Sequence, residues 1–249
     1  MARDLKNKTV VITGGAQGIG YSIASNYLEK GAKVVILLDI DAKQGATSVN
    51  NLNSKFGNER ADFIKSDVTA DLEAVADKII NKYKTVDVLV NNAGILNEFN
   101  IKKTIEVNVT AVMEWSVKFF EHMRKDTGGK GGTIINLASI YGFRVDPFIP
   151  IYQGSKFAVL GFTKSFGHKL RFENYGVRIV AICPGFTETI LTSDMKVGHE
   201  VLQKDFEKML EATPWQKIED VGKAAVDVFE KTESGTAWLI EGSKPIVEV

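Results

Sequence analysis

Residues 9–20 read Thr-Val-Val-Ile-Thr-Gly-Gly-Ala-Gln-Gly-Ile-Gly, and this stretch decides the fold. Thr9 to Thr13 is a run of β-branched residues, the composition of a strand. Glycines follow at 14, 15, 18 and 20, and apolar residues then recur at Ile23, Ala24, Tyr27 and Leu28, one face of a helix that Gly31 is placed to end. A strand running through a glycine-rich turn into a helix is the first crossing of a parallel sheet. There the backbone turns sharply, and the helix start offers free N–H groups and a positive dipole end to a pyrophosphate. Taken alone, a glycine-rich turn without any ligand would read the same way.

The alternation continues outward. Val34 to Leu38 is a strand of unbroken hydrophobicity, as expected where both faces are covered. Phe63 and Ile64 sit in a short strand leading to Asp67, and Leu72, Val75, Ala76, Ile79, Ile80 and Tyr83 form a helical stripe. Val86 to Val90 runs into Asn91-Asn92-Ala93-Gly94. A helix is predicted over Ile105 to Met123, a loop over Gly128 to Gly132 and a strand over Thr133 to Leu137. A helix around Ser155 to Phe172, a strand from Val177 to Ile182 stopped by Pro184-Gly185, and a last strand from Ala237 to Ile240 complete the pattern. About seven strands with intervening helices predict an α/β fold, a single Rossmann-type doubly wound parallel sheet with helices on both faces. No linker-like or repetitive segment divides residues 1–249, so one domain is expected.

Composition removes several classes of function. The 31 basic residues balance 31 acidic ones, and no cluster of Lys or Arg provides the basic face that nucleic acid requires. Residues Met1 to Thr9 are polar, and the longest apolar run, Val34 to Leu38, is far too short for a membrane span. A lone cysteine, Cys183, forms no internal disulfide. A soluble protein of a reducing compartment, the cytoplasm, is expected. His122, His168 and His199 show no metal-ligand spacing, so no metal is expected.

Asp39 ends the second strand, where a carboxylate can accept hydrogen bonds from an adenosine ribose. A 2′-phosphate beside it would meet like charge, and neither Ile40 nor Asp41 compensates, so NAD rather than NADP is expected. Tyr152 and Lys156 lie four apart on one helical face. Bringing a phenol from its ordinary pKa of about 10 to near 7 takes roughly 4 kcal/mol. An ammonium about 4 Å away supplies an amount of that order at an effective dielectric near 20. Ser139, thirteen residues before Tyr152, follows a strand whose end lines the same crevice. Individually, these three could be a core aromatic, a solvated lysine and a turn cap.

Together the motifs resemble the short-chain dehydrogenase/reductase family over most of the chain, from Thr13 to about Thr189. Thr13-Gly-Gly-Ala-Gln-Gly-Ile-Gly20 is similar to the family's cofactor motif, Asn91-Asn-Ala-Gly94 to its central motif, and Asn108, Ser139, Tyr152 and Lys156 to its tetrad. Pro184-Gly-Phe-Thr-Glu-Thr189 is similar to the segment that meets the nicotinamide carboxamide. Within the family, Ile182-Cys-Pro-Gly-Phe186 and Gly131-Gly-Thr-Ile-Ile-Asn136 resemble the NAD-dependent 15-hydroxyprostaglandin dehydrogenase type, and Gly235-Thr-Ala-Trp238 resembles insect alcohol dehydrogenases. Ile149 stands where prostaglandin dehydrogenases place a glutamine.

The resemblance implies a hydride transfer between a small-molecule alcohol or ketone and NAD. It makes Tyr152 the acid/base, Ser139 the substrate-orienting hydroxyl, Lys156 a ribose ligand and Asn108 the holder of a relay water. It also implies cofactor contacts by Gly14, Gln17, Gly18, Ile19, Gly20, Asp39, Asp67, Val68, Asn91, Ala93, Gly94, Pro184, Gly185, Thr187 and Thr189, with Tyr152 and Lys156. A homodimer or homotetramer through the helices near 105–123 and 155–172 is implied as well.

Leu202, Phe206, Met209 and Leu210 fall at helical spacing between Met195 and Trp215, the pattern of a substrate lid over 190–215 or of a helix fixed on the core. With Tyr141, Phe143, Phe148 and Ile149 nearby, a hydrophobic, lipid-like secondary alcohol is the favoured substrate. A non-catalytic NAD(H) sensor or scaffold on the same fold is the alternative, and an intact tetrad argues against it.

Overall fold

The computed structural model describes residues 3–193 and 195–249; of the segments discussed above, Met1, Ala2 and Asp194 lie outside it. The strands are β1 (Thr9–Thr13), β2 (Val34–Asp39), β3 (Ala61–Lys65), β4 (Val88–Asn91), β5 (Gly132–Leu137), β6 (Val177–Pro184), β7 (Ala237–Ile240) and β8 (Val247–Glu248). They form one sheet in the order β3-β2-β1-β4-β5-β6-β7-β8. The first seven are parallel, and β8 pairs antiparallel with β7 through Trp238 opposite Glu248. Eight strands, not about seven, therefore build the sheet. The eighth has only two residues, both exposed, and so carries no hydrophobic alternation.

The helices are α1 (Gly18–Glu29), α2 (Ala42–Phe56), α3 (Leu72–Tyr83), α4 (Ile101–Ile105), α5 (Ala111–Met123), α6 (Pro150–Phe166), α7 (Lys169–Tyr175), α8 (Ile190–Ser193), α9 (Gln203–Ala212) and α10 (Ile218–Lys231). One face of the sheet buries Val10, Ile12, Val35 and Leu37 against Ile23 and Tyr27 of α1, Leu52 of α2 and Val221 and Phe229 of α10. The other buries Val11, Ile36 and Leu89 against Ile79 of α3 and Trp115 and Phe119 of α5. Strands apolar on both faces are thus explained by two helical layers.

Two helices differ from the sequence expectation. The one predicted over 105–123 begins at Ile101 and passes through a π-helical turn, Glu106–Thr110, before α5. The wide turn lies where Asn108 is fully buried. The helix predicted over 155–172 is two, α6 and α7. It breaks because Gly167 packs on the sheet so closely that a Cβ there would come within 2.4 Å of the Ile179 carbonyl, and the His168 ring then accepts the Leu170 N–H to start α7.

The strand order reverses between β1 and β4, and loops diverging from this switch point leave a crevice at the carboxyl ends. Thr13 Oγ1 holds the crevice together, accepting from Asn92 N at 3.0 Å and Ala93 N at 3.1 Å.

Candidate active site

A cavity of about 550 Å³ runs along the carboxyl ends of β1–β6. At one end Gly14, Gln17, Gly18 and Ile19 form its floor, with Asp39, Asp67 and Val68 beyond. Gly14 and Gly18 hold φ values of +61° and +57°, which L side chains rarely adopt. A Cβ on Gly18 would meet only Thr189 Cγ2, at 3.9 Å, so the missing side chain leaves open space in the cavity. No side chain caps α1, and its first N–H groups remain for an anion. These features fit the pyrophosphate of a dinucleotide. Gly20 serves differently: it does not line the cavity but packs beneath Gly14, whose carbonyl a Cβ would approach to 2.3 Å.

The Asp39 carboxylate is fixed by the Ala16 and Asp41 N–H groups, each at 3.1 Å. Asp67 accepts from Thr69 N and Thr69 Oγ1. Those bonds, with the nearby Lys103, hold its carboxyl below the usual range despite burial.

The middle of the cavity brings together Ala93, Gly94, Ser139, Tyr152, Lys156, Pro184, Gly185, Thr187 and Thr189. Gln216, buried, donates to Thr187 Oγ1 at 3.2 Å and to the Ile240 carbonyl at 3.0 Å, fixing this last segment. Sequence reasoning did not single out Gln216; it carries no local motif and acts across 29 residues. Lys156 Nζ lies 5.5 Å from the centre of the Tyr152 ring and donates to the Leu137 carbonyl at 2.8 Å.

Burial dominates both titrations. It pushes the Tyr152 phenol up to about 12, against a hydrogen bond with Ser139 that lowers it. It pushes the Lys156 ammonium down to about 8. The expectation of a phenol brought near neutrality is thus opposed by burial, which favours the neutral form of Tyr152. Lys156 still carries its proton at pH 7, so its charge is available to a phenolate formed beside it.

Two expected site residues lie behind the wall. Asn108 accepts from Ile95 N and donates to the Ile95 carbonyl, both at 2.9 Å, and to Ser155 Oγ at 3.0 Å. A Cβ on Gly94 would lie 3.4 Å from Asn108 Oδ1 and 3.7 Å from Lys156 Nζ, so both groups flank that glycine. Asn91 faces away from the cavity. Its amide donates at 2.9 Å to both Ser116 Oγ and Asn136 Oδ1, and Asn136 donates onward to Thr163 Oγ1. Asn91 therefore ties α5 and α6 to β4 and β5, and any effect it has on a cofactor passes through the loop it begins.

The far end is apolar. Ile140, Tyr141, Ile149, Tyr152 and Phe186 form a buried cluster, and Leu96, Phe148, Met195, Met209, Leu210 and Trp215 pack against it. Phe206 is fully buried with its ring 5.3 Å from Phe148, and Trp215 lies 5.3 Å from Phe186. Segment 190–215 thus forms the outer wall over this end, Asp194 lying outside the description. Among the described residues, no group of three His, Cys, Asp or Glu could hold a metal, and no helix is long and apolar enough to cross a membrane.

A glycine cradle at a switch point, an acidic residue at the end of β2 and a Ser-Tyr-Lys wall thus share one cavity on a Rossmann-type sheet. The family model for short chain dehydrogenases matches residues 8–199, and the chain belongs to that family of enzymes acting on CH–OH groups. It is 36% identical over 208 residues to 15-hydroxyprostaglandin dehydrogenase [NAD(+)] of Macaca fascicularis, covering 81% of this chain and 77% of that protein. It is 30% identical over 237 residues to alcohol dehydrogenase 1 of Ceratitis cosyra, covering 93% and 91%. A gluconate 5-dehydrogenase of Burkholderia cenocepacia, solved with NADP and tartrate, superposes with a TM-score of 0.79 at 25% identity, covering 96% and 95%.

Proposed function

We propose that the protein is an NAD-dependent oxidoreductase acting on a hydrophobic secondary alcohol or the matching ketone, with Tyr152 as acid/base. The supporting observation is the convergence of Ser139, Tyr152 and Lys156 on one cavity wall, between the glycine cradle and the apolar end. When bound in the glycine cradle, NAD would supply the acceptor for the hydride leaving the alcohol carbon. Tyr152 takes the hydroxyl proton, Ser139 holds the oxygen, and the Lys156 charge favours the phenolate. Asn108, linked to Ser155 and standing behind Gly94 near Lys156, is suited to a proton relay.

Asp39 at the ribose end disfavours a 2′-phosphate and supports NAD. Cofactor contacts by Gly14, Gln17, Gly18, Ile19, Asp67, Val68, Ala93, Gly94, Pro184, Gly185, Thr187 and Thr189 are supported by their lining the cavity. Its charged lining residues, apart from Lys156, are Asp39, Asp41, Asp67 and Lys103 near the ribose end. The remaining described wall offers no cation to a substrate carboxylate, which favours an uncharged apolar alcohol over a prostaglandin acid. Segment 190–215 acts as its cover.

Val117 of α5 and Phe157 of α6 are 44% and 41% exposed, which supports self-association through these helices as a homodimer or homotetramer. The single buried Cys183 is in keeping with a reducing, cytoplasmic setting.

The test is a panel of prostaglandins, terpenols, steroids and aliphatic alcohols with each cofactor, followed by reduced-cofactor absorbance. Tyr152→Phe should bind NAD normally and lose roughly 10²- to 10⁴-fold in turnover. Tight NAD binding without turnover of any alcohol or ketone would refute the reading.

A further inference from the structure

The helix that carries Tyr152 starts without a cap of its own. Its N-cap residue, Ile149, supplies no side-chain bond, and Pro150 at the first position has no N–H. The next two N–H groups, of Ile151 and Tyr152, have no partner within a helix. Both are taken by one carboxylate from more than fifty residues earlier. Glu98 Oε2 accepts from Ile151 N at 3.0 Å and Glu98 Oε1 accepts from Tyr152 N at 2.8 Å. A charged acceptor on two helix N-terminal donors is the strong form of such a bond.

Glu98 is not an isolated cap. It belongs to the loop after β4, which lines the cavity through Ala93, Gly94, Ile95 and Leu96. The same loop holds Tyr152 from the other side: Ile95 bonds Asn108, Asn108 donates to Ser155 Oγ, and Ser155 Oγ donates to the Tyr152 carbonyl at 2.6 Å. The loop thus holds the Tyr152 N–H directly through Glu98 and reaches its C=O through Asn108 and Ser155. The outer wall crosses this grip, since a Cβ on Gly198 would sit 3.7 Å from Glu98 Cβ.

We infer that Glu98 is a positioning residue for the reaction, setting where the Tyr152 hydroxyl stands relative to the substrate oxygen. The inference rests on the catalytic reading of Tyr152 above. Glu98 does not touch the reacting atoms. It fixes the first turn of α6, and displacements of about 1 Å at a reacting group can cost a hundredfold in rate.

The experiment uses Glu98→Ala and Glu98→Gln in the full chain, assayed with the most active alcohol of the panel and its carbinol-deuterated form. Glu98→Ala should lower kcat by about ten- to a hundredfold. The dissociation constant for NAD should stay within about twofold, and the deuterium isotope effect on kcat should rise as the chemical step becomes limiting. Glu98→Gln, whose amide oxygen can still accept one of the two bonds, should recover part of that loss. An unchanged kcat in Glu98→Ala overturns the inference, as does a loss proportional to the folded fraction with no change in isotope effect.

Hydrogen exchange at the Ile151 and Tyr152 amides provides a readout independent of turnover. Exchange should speed up in Glu98→Ala, and unchanged protection there would overturn the inference. If the wild-type chain oxidises no alcohol, the catalytic reading fails at that point, separately from the exchange result.

Discussion

Replacing Lys156 by methionine tests the electrostatics of the site most directly. The ammonium stands 5.5 Å from the centre of the Tyr152 ring, and both side chains are buried. Taking that distance as the charge separation and an effective dielectric near 20, the ammonium stabilises a phenolate by about 3 kcal/mol, or roughly two pKa units. Burial acts in the opposite sense and raises the phenol pKa, so the ammonium and desolvation oppose each other. An oxidised nicotinamide, when bound, would supply a second positive charge acting in the same direction as the ammonium.

On the proposed role of Tyr152 as acid/base, alcohol oxidation requires its base form, so kcat should rise with pH through its pKa. Removing a cation raises that pKa and pushes the ascending limb to higher pH. Lys156→Met should therefore shift the limb upward by about two units and lower kcat at pH 7 by roughly a hundredfold. The assay is kcat at saturating NAD from about pH 6 to about pH 10, which separates the effect from any loss of ribose binding. A limb that moves by less than about half a unit would remove Lys156 from this role.

Three further outcomes follow from particular contacts. Asp39→Ala should lower the ratio of kcat/KM for NAD to that for NADP by at least about tenfold, because the carboxylate facing a 2′-phosphate is gone; steady-state kinetics with both cofactors checks it. Arg178, fully buried, donates to the carbonyls of Val228, Phe229 and Thr232 and so closes the carboxyl end of α10. Arg178→Met should cost about 3 kcal/mol, several unpaired carbonyls offset by the relief of a buried charge, and lower Tm by roughly 6–12 °C in thermal unfolding. His122 accepts the Val86 N–H through Nε2, and burial lowers its pKa from the ordinary 6.5. The unfolded chain takes up that proton first, so stability should fall as pH drops through about 6.5 towards the lowered native value; His122→Gln should flatten this slope in denaturant titrations against pH.

The central strands were legible because they are short apolar runs rich in β-branched residues beside a turn signal, as in Thr9–Thr13 before Gly14. The Tyr-Lys pair and the glycine cradle were legible because their chemistry is local in sequence. Features built from distant partners were not. Helix α2 buries only Gly45, Ser48 and Leu52, too few apolar positions to register as a stripe. The break between α6 and α7 depends on how closely Gly167 approaches β6, which periodicity does not encode. Asn91 has the residue type of a cofactor ligand, yet it spends its hydrogen bonds on Ser116 and Asn136, partners that only the packed sheet supplies. Glu98 reads as an ordinary loop acid until the fold sets it against α6.

The wall over the apolar end is an excursion of the chain between β6 and β7, and its contacts with Phe148 and Phe186 belong to a cluster separate from the two main layers of the core. Such an excursion is a cassette. Its length and side chains can be exchanged by grafting from a relative while the nucleotide half and the proton-handling residues stay in register. On the proposed function, retargeting the site to a new alcohol would begin in this segment and its helices α8 and α9.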